Sequence, residues 1–340
     1  MRSTLLFINP QSASRVLRYL RMLTPRRVRA RLVSCAAAAA FSLLTLPESA
    51  SAQQAAPPRS LNVTVMDGNG GWVTGLTRES FTVLDGGRPS EIVSFAAGDM
   101  PATVCVLLDA SASFNTVRRG LVRGALAHFL KVSHPSDEFF VIAFNQSPQL
   151  LQGMTGDPAA VLGAIDRYAS VEPKGQTAIY DSLYLGLHGA ARGRHAKRAV
   201  VLVTDGQDNV SRYKFNELRR ELKESDVTVY AVGVVDANGD SALDYGGRAV
   251  LEELAGLSGG KAFFPSTVAE LNDTFDRIAF ELRNQYVIGF APSAEAKRDG
   301  WHEVRVKLAE VRVGGKKVKV YVRTRAGFYD VPPPRRDKTP

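Results

Sequence analysis

Cysteine is almost absent from this chain of 340 residues, which contains only Cys35 and Cys105. Cys35 falls in a segment that reads as an export signal, so the mature chain keeps one thiol. A disulfide framework is thereby excluded, and Cys105, set inside an apolar run, is expected to be an inert core thiol. Histidine is scarce too: His128, His134, His188, His195 and His302 lack zinc-type spacing and have no cysteines to support them. There is no Gly-x-Ser-x-Gly elbow and no Walker loop. Nor is there the second aspartate that a haloacid dehalogenase would need two residues after Asp109, because Ser111 stands there. Beyond the signal no apolar run is long enough to span a bilayer. These absences remove zinc scaffolds, familiar serine hydrolases, nucleotide hydrolases and integral membrane proteins from consideration.

The first 52 residues have the three parts of an export signal: a basic stretch with Arg26, Arg27, Arg29 and Arg31, an apolar core from Leu32 to Leu46, and a small-residue cleavage site at Ala50-Ser51-Ala52. Leu32-Val33-Ser34-Cys35 has the look of a lipoprotein box. The apolar core follows its cysteine instead of preceding it, so lipid anchoring is not expected. The signal carries eight of the 43 basic residues and one of the 34 acidic ones, which leaves 35 against 33, a formal +2. Most of the basic pI therefore belongs to the signal, and a nucleic-acid partner is not expected. The expected mature product begins near Gln53, has no transmembrane segment, and is exported to the periplasm or secreted.

After a polar, Pro-containing linker (53–58), residues 59–98 read as a small β segment. Leu61 to Met66, Phe81 to Leu84 and Glu91 to Phe95 are short strands, and the glycines after Asp67 form a hairpin turn rather than a dinucleotide loop. From 99 to 282 buried strands alternate with helices. The strands are Thr103 to Leu108, Phe139 to Phe144, Ala199 to Thr204 and Val227 to Val235. The expected helix stripes are Val117, Leu121, Ala125 and Phe129; Ile179, Leu183 and Leu187; Phe215, Leu218 and Leu222; and Val268, Leu271, Phe275, Ile278 and Leu282, with Thr267 and Glu270 as a capping box. Repeated β-α units predict a doubly wound, Rossmann-like α/β domain with a mostly parallel central sheet. Residues 283–329 return to strands, the second alternating Val304, Val306 and Leu308 with charged residues. They are expected to pair with the N-terminal segment into one discontinuous β unit. Residues 330–340 read as a disordered tail.

The stretch "VCVLLDASASF" ends a buried strand in Asp109, Ser111 and Ser113, three oxygen-bearing residues at alternate positions. In an open parallel sheet, side chains at the carboxyl ends of the strands converge on a crevice. Thr177 in a glycine-containing loop and Asp205 in "VLVTDGQDN" arrive at the same edge. The arrangement resembles the von Willebrand factor A domain and its metal-ion-dependent adhesion site (MIDAS), Asp-x-Ser-x-Ser followed by a distant Thr and a distant Asp. The flanks "VTGLTRESFTVLDGGRPSEIVSF" and "LRNQYVIGFAP" resemble a bacterial von Willebrand factor A-related group abundant in acidobacteria. One departure is Ala112, where the family usually has glycine between its serines; it leaves every ligand in place and is expected to stiffen the turn.

The resemblance implies a metal site made of Asp109, Ser111, Ser113, Thr177 and Asp205. The serines and Thr177 would bind directly and the aspartates largely through water. Hydroxyl and carboxylate oxygens suit Mg²⁺ or Mn²⁺, with Ca²⁺ a third candidate. Two carboxylates leave such an ion under-neutralised, so a Glu or Asp side chain of a protein partner would complete its shell. The resemblance also makes the helix from Thr267 to Leu282 a candidate readout element. The expectation is a non-enzymatic, metal-dependent protein-binding module. The alternatives are a self-assembling envelope component with a degenerate site and, further off, a metal-assisted hydrolase, for which a general base is missing. Asp236 to Asp240 with Asp244 has odd-position oxygens, but Ser241 and Gly247 stand where an EF-hand needs glycine and glutamate, so a solvated loop is expected. Glu172, Asp208 and Asn209 are expected in loops at the site's rim, as turn residues with at most an influence on partner choice.

Overall fold

The computed structural model describes residues 57–204, 208–234, 245–292, 300–313 and 316–329. At its centre is a six-stranded sheet. Its strands are β5 (Ala102–Asp109), β6 (Glu138–Phe144), β7 (Pro148–Thr155), β8 (Lys197–Thr204), β9 (Thr228–Gly233) and β10 (Lys261–Phe263), in the order β10-β9-β8-β5-β6-β7. All neighbours are parallel except β7, which pairs antiparallel with β6 through two register irregularities.

Alternation along β5 divides the domain into two cores, as a strand covered on both faces requires. Val104, Val106 and Leu108 pack on one side with α1 (Thr116–Val132), α2 (Pro158–Ser170) and α6 (Val268–Asn284). Cys105 and Leu107 pack on the other with α3 (Ile179–Ala191), α4 (Phe215–Glu224) and α5 (Tyr245–Leu257). The thiol of Cys105 is fully buried, and burial pushes its pKa well up, consistent with an inert core residue.

Two helix stripes differ from expectation. In α1, Val117 is 71% exposed and Leu121 39%; the buried face is Val122, Ala125, Leu126 and Phe129, together with Arg118 and Arg119. In α6, Val268 is half exposed while Leu271, Phe275, Ile278 and Leu282 are buried. Thr267 caps α6 by accepting from Glu270 N, whereas the Glu270 carboxylate turns to Ser266, so only half of a capping box forms. The helices α2 and α5 and the strands β7 and β10 are additional to those expected from the sequence pattern.

The flanking segments pair with each other. β1 (Arg59–Asp67) lies between β11 (Tyr286–Phe290) and β15 (Val320–Arg323), antiparallel to both, and β4 (Ile92–Ala96) joins the other edge of β11. In a second sheet, β12 (Trp301–Leu308) pairs with β2 (Phe81–Asp85) and with β16 (Gly327–Tyr329), and β3 (Arg88–Ser90) completes it. The two sheets share one core, in which Phe81 meets Tyr286 and Phe290 meets Phe328. A small hairpin, β13 (Arg312–Val313) with β14 (Lys316–Lys317), stands apart. The turn after Asp67 is the expected hairpin turn: the Asp67 carboxylate accepts from Asn69 N and Gly71 N, each at 2.8 Å, and Met66 bridges to Trp72.

A buried polar cluster fastens this β unit to the α/β domain. Glu281 of α6 accepts from Thr64 of β1, Tyr230 of β9 and Arg323 of β15. Among the described residues, no helix is long and apolar enough to cross a membrane.

Candidate metal site at the carboxyl edge of the sheet

Asp109 ends β5 with its side chain completely buried. One carboxylate oxygen accepts from Ser111 N at 2.9 Å and the other from Thr204 Oγ1 at 2.6 Å. Burial pushes the Asp109 carboxyl upward, while these hydrogen bonds and the nearby charge of Arg119 pull it back toward ionisation. The turn that Ser111 N closes brings Ser111 Oγ to 3.1 Å from Ser113 Oγ, with Ser111 buried and Ser113 exposed. Among the described residues no non-glycine residue has positive φ, so Ala112 sits there without strain, and a glycine at this position is not required.

Two main-chain bonds stitch this turn to the loop carrying Thr177: Ala112 N donates to Gly175 O at 3.1 Å and Lys174 N to Ala110 O at 3.3 Å. Gly175 has φ +83°, a left-handed conformation that favours glycine, and a Cβ there would come 3.2 Å from the Gln146 side chain, which would have to shift slightly. Thr177 is 3% exposed. From the other side α1 contributes Arg119, wholly buried, whose guanidinium donates to Phe114 O at 3.1 Å and Val171 O at 2.6 Å and lies over the Tyr168 ring. The Tyr168 hydroxyl in turn donates to Asp109 O.

Asp109, Ser111 and Ser113 are therefore gathered in one turn, and Thr177 is in the loop bonded to it. Asp205, and the acidic stretch Asp236 to Asp244, lie outside the described residues. Sequence reasoning missed Thr204 and Arg119, which hold the site from behind. A threonine ending a strand beside an acidic loop was a readable signal; a buried arginine was not. Asp208 and Asn209, expected as rim residues, bond to the Thr177 loop and the start of α3.

The donors present fit a hard divalent cation. Neighbouring oxygens around an octahedral Mg²⁺ at about 2.1 Å are roughly 3.0 Å apart, close to the 3.1 Å between the serine hydroxyls. Among the described residues no group of three His, Cys, Asp or Glu side chains is placed to hold a metal, so softer or carboxylate-rich chemistry is not what these residues offer. Two surface depressions, of about 500 and 450 Å³, lie against Asp276 and Arg283 and against Leu130 and Pro158, lined by none of the candidate ligands.

A doubly wound, mostly parallel sheet with three helices on each face defines an α/β domain of the Rossmann-like class. The chain belongs to the von Willebrand factor type A domain family, which matches residues 103–277. Among solved structures it is similar to a von Willebrand factor type A protein from Catenulispora acidiphila, with 12% identity and a TM-score of 0.47 over 81% of this chain and 75% of that one. It is also similar to an aerotolerance-related membrane protein from Bacteroides fragilis, at 18% identity and TM-score 0.44, covering 53% of this chain and 98% of that one. A third is proximal thread matrix protein 1 from the mussel byssus, solved with a zinc-occupied MIDAS motif, at 19% identity and TM-score 0.44, covering 59% of this chain and 50% of that one. No curated protein matches the chain.

Proposed function

We propose that this chain is an exported, non-enzymatic protein-binding module that uses a divalent cation at Asp109, Ser111, Ser113, Thr177 and Asp205 to recognise an acidic side chain of a partner. The observation that carries this reading is the hydroxyl pair Ser111 and Ser113, 3.1 Å apart beside the buried carboxylate of Asp109. Ser111, Ser113 and Thr177 would hold the ion directly. Asp109, fixed by Thr204 Oγ1 and Ser111 N, would neutralise it from behind. A bound Mg²⁺ or Mn²⁺ would supply an open coordination position that a partner's Glu or Asp carboxylate fills. Both oxygens of Asp109 accept hydrogen bonds, so it is poorly placed to act as a general base, which favours binding over hydrolysis.

The test is calorimetric titration of Mn²⁺ into the chelator-stripped mature protein (residues 53–340) and into Asp109→Ala. Saturable binding in the wild type, weakened at least 100-fold in the variant, is the expected result. Equal binding by both proteins would overturn the assignment. With the ion present, an acidic peptide column should retain the wild type and release it on chelation.

A further inference from the structure

The N-cap of helix α3 is Ala178, a residue whose side chain cannot cap, and no side-chain cap bond comes from that position. The first turn of a helix nevertheless leaves backbone N–H groups without helical partners. Here the loop after β8 supplies what Ala178 lacks. The Asp208 carboxylate accepts from Tyr180 N at 3.0 Å and Ser211 Oγ from Asp181 N at 3.1 Å, while Asp208 also takes the Ser211 hydroxyl. The Asp181 carboxylate returns the favour, accepting from Arg212 N and Tyr213 N at 2.9 Å each.

One residue before this cap is a tighter feature. Thr177 N donates to Asn209 Oδ1 at 2.8 Å, and Asn209 N donates to Thr177 O at 3.0 Å. This reciprocal pair holds the main chain of Thr177 at both its N–H and its C=O. Asn209 is itself exposed while Thr177 is buried, so removing the Asn209 amide takes little from the core but leaves the Thr177 N–H without this acceptor.

We propose that Asn209, backed by the Asp208 cap, is the positioning residue of the site: it presets Thr177 and thereby sets the affinity for the cation. The assignment rests on the metal-dependent reading above. A ligand held in place before the ion arrives does not have to be ordered by it, and partners that orient metal ligands typically contribute 10–100-fold in affinity.

Asn209→Ala and Asn209→Asp distinguish positioning from structure, because aspartate keeps the acceptor for Thr177 N. In the metal-free protein, amide hydrogen exchange at Thr177 is expected to quicken about 10-fold or more in Asn209→Ala and to stay near wild type in Asn209→Asp. The melting temperature should fall by no more than about 4 °C. Mn²⁺ affinity should drop about 10–100-fold in the alanine variant and recover with aspartate. Wild-type exchange at Thr177 together with wild-type Mn²⁺ affinity in Asn209→Ala would overturn the proposal. Asn209-dependent protection of Thr177 in a protein that binds no Mn²⁺ would uphold the brace and overturn the metal reading instead.

Discussion

Lys197 shows how far one buried residue can depart from what its type suggests. Its side chain is fully buried at the start of β8, and its ammonium donates to Arg283 O at 2.6 Å and Gly98 O at 3.3 Å, two carbonyls rather than a carboxylate. Burial lowers its pKa from the ordinary 10.5 to about 8, against the pull of Asp99 and Asp137 in the opposite direction. At this position the folded protein therefore binds fewer protons than the unfolded chain between about pH 8 and 10.5, and the contribution of Lys197 to stability rises with pH across that window. The rise attributable to Lys197 is about 3 kcal/mol in full. Urea denaturation from pH 7.5 to 10.5 should show it as a difference between wild type and Lys197→Met that grows in favour of the wild type. A difference constant with pH would mean that Lys197 keeps its ordinary pKa. Residue by residue, the site was legible in the same partial way. The alternation of Asp109, Ser111 and Ser113 at a strand end is a local pattern and could be read. Thr204 behind the carboxylate, Asn209 beside Thr177 and Arg119 beneath the turn act across 95, 32 and 52 residues of sequence, and no periodicity reports that.

At the scale of elements, α1 explains why strands were easier to read than helix faces. Buried parallel strands are apolar throughout, so β5, β6, β8 and β9 announce themselves. In α1 the apolar stripe Val117, Leu121, Ala125, Phe129 competes with Val122, Ala125, Leu126, Phe129. The second wins because Arg118 and Arg119, which polarity assigns to solvent, turn inward to the carbonyls of Ser113, Phe114 and Val171. Nε and Nη1 of Arg119 donate to main-chain oxygens and its guanidinium lies over the Tyr168 ring, while Nη2 is buried without a hydrogen-bond partner among the described residues. Polar contacts of this kind offset much of the cost of burying an arginine, and they are a tertiary fact. The same principle governs the junction of α6 with the β unit. Glu281 is 4% exposed and accepts from Thr64 Oγ1 at 3.0 Å, Tyr230 OH at 2.6 Å and the Arg323 guanidinium, its one cationic donor among these. Arg323→Met would strand a buried carboxylate and should cost about 3–5 kcal/mol, while adding Glu281→Gln should recover most of the loss. Urea titration of the two single variants and the double variant checks this. A cost for Arg323→Met within about 0.5 kcal/mol would show that the carboxylate is sufficiently held by its neutral donors.

Across the whole molecule the decisive property is where pairing partners lie in the sequence. Every strand of the six-stranded sheet falls within residues 102–263, and its longest connection is the one from β7 to β8, residues 156–196. The β unit is the reverse: β1 is held on both sides by strands from the C-terminal segment, Leu61 opposite Ile288 and Val65 opposite Val322, and β2 pairs with β12. Contacts of such separation form late, because a long loop must close before any of them is made. The α/β domain is therefore expected to fold first and to present α6 as the surface on which the two segments meet. A fragment of residues 97–285 keeps its whole sheet and all six helices and should unfold in one cooperative transition. A fragment of residues 57–285 carries β1, β2 and β4 without β11, β12 or β15, leaving Leu61, Val63, Phe81 and Val83, now buried, with nothing to cover them. It should bind an apolar dye and aggregate, and its first 40 residues should exchange amide protons freely. Protection of those amides in the longer fragment would show that the N-terminal segment folds without its distant partners, and the order of assembly argued from the pairing would be wrong.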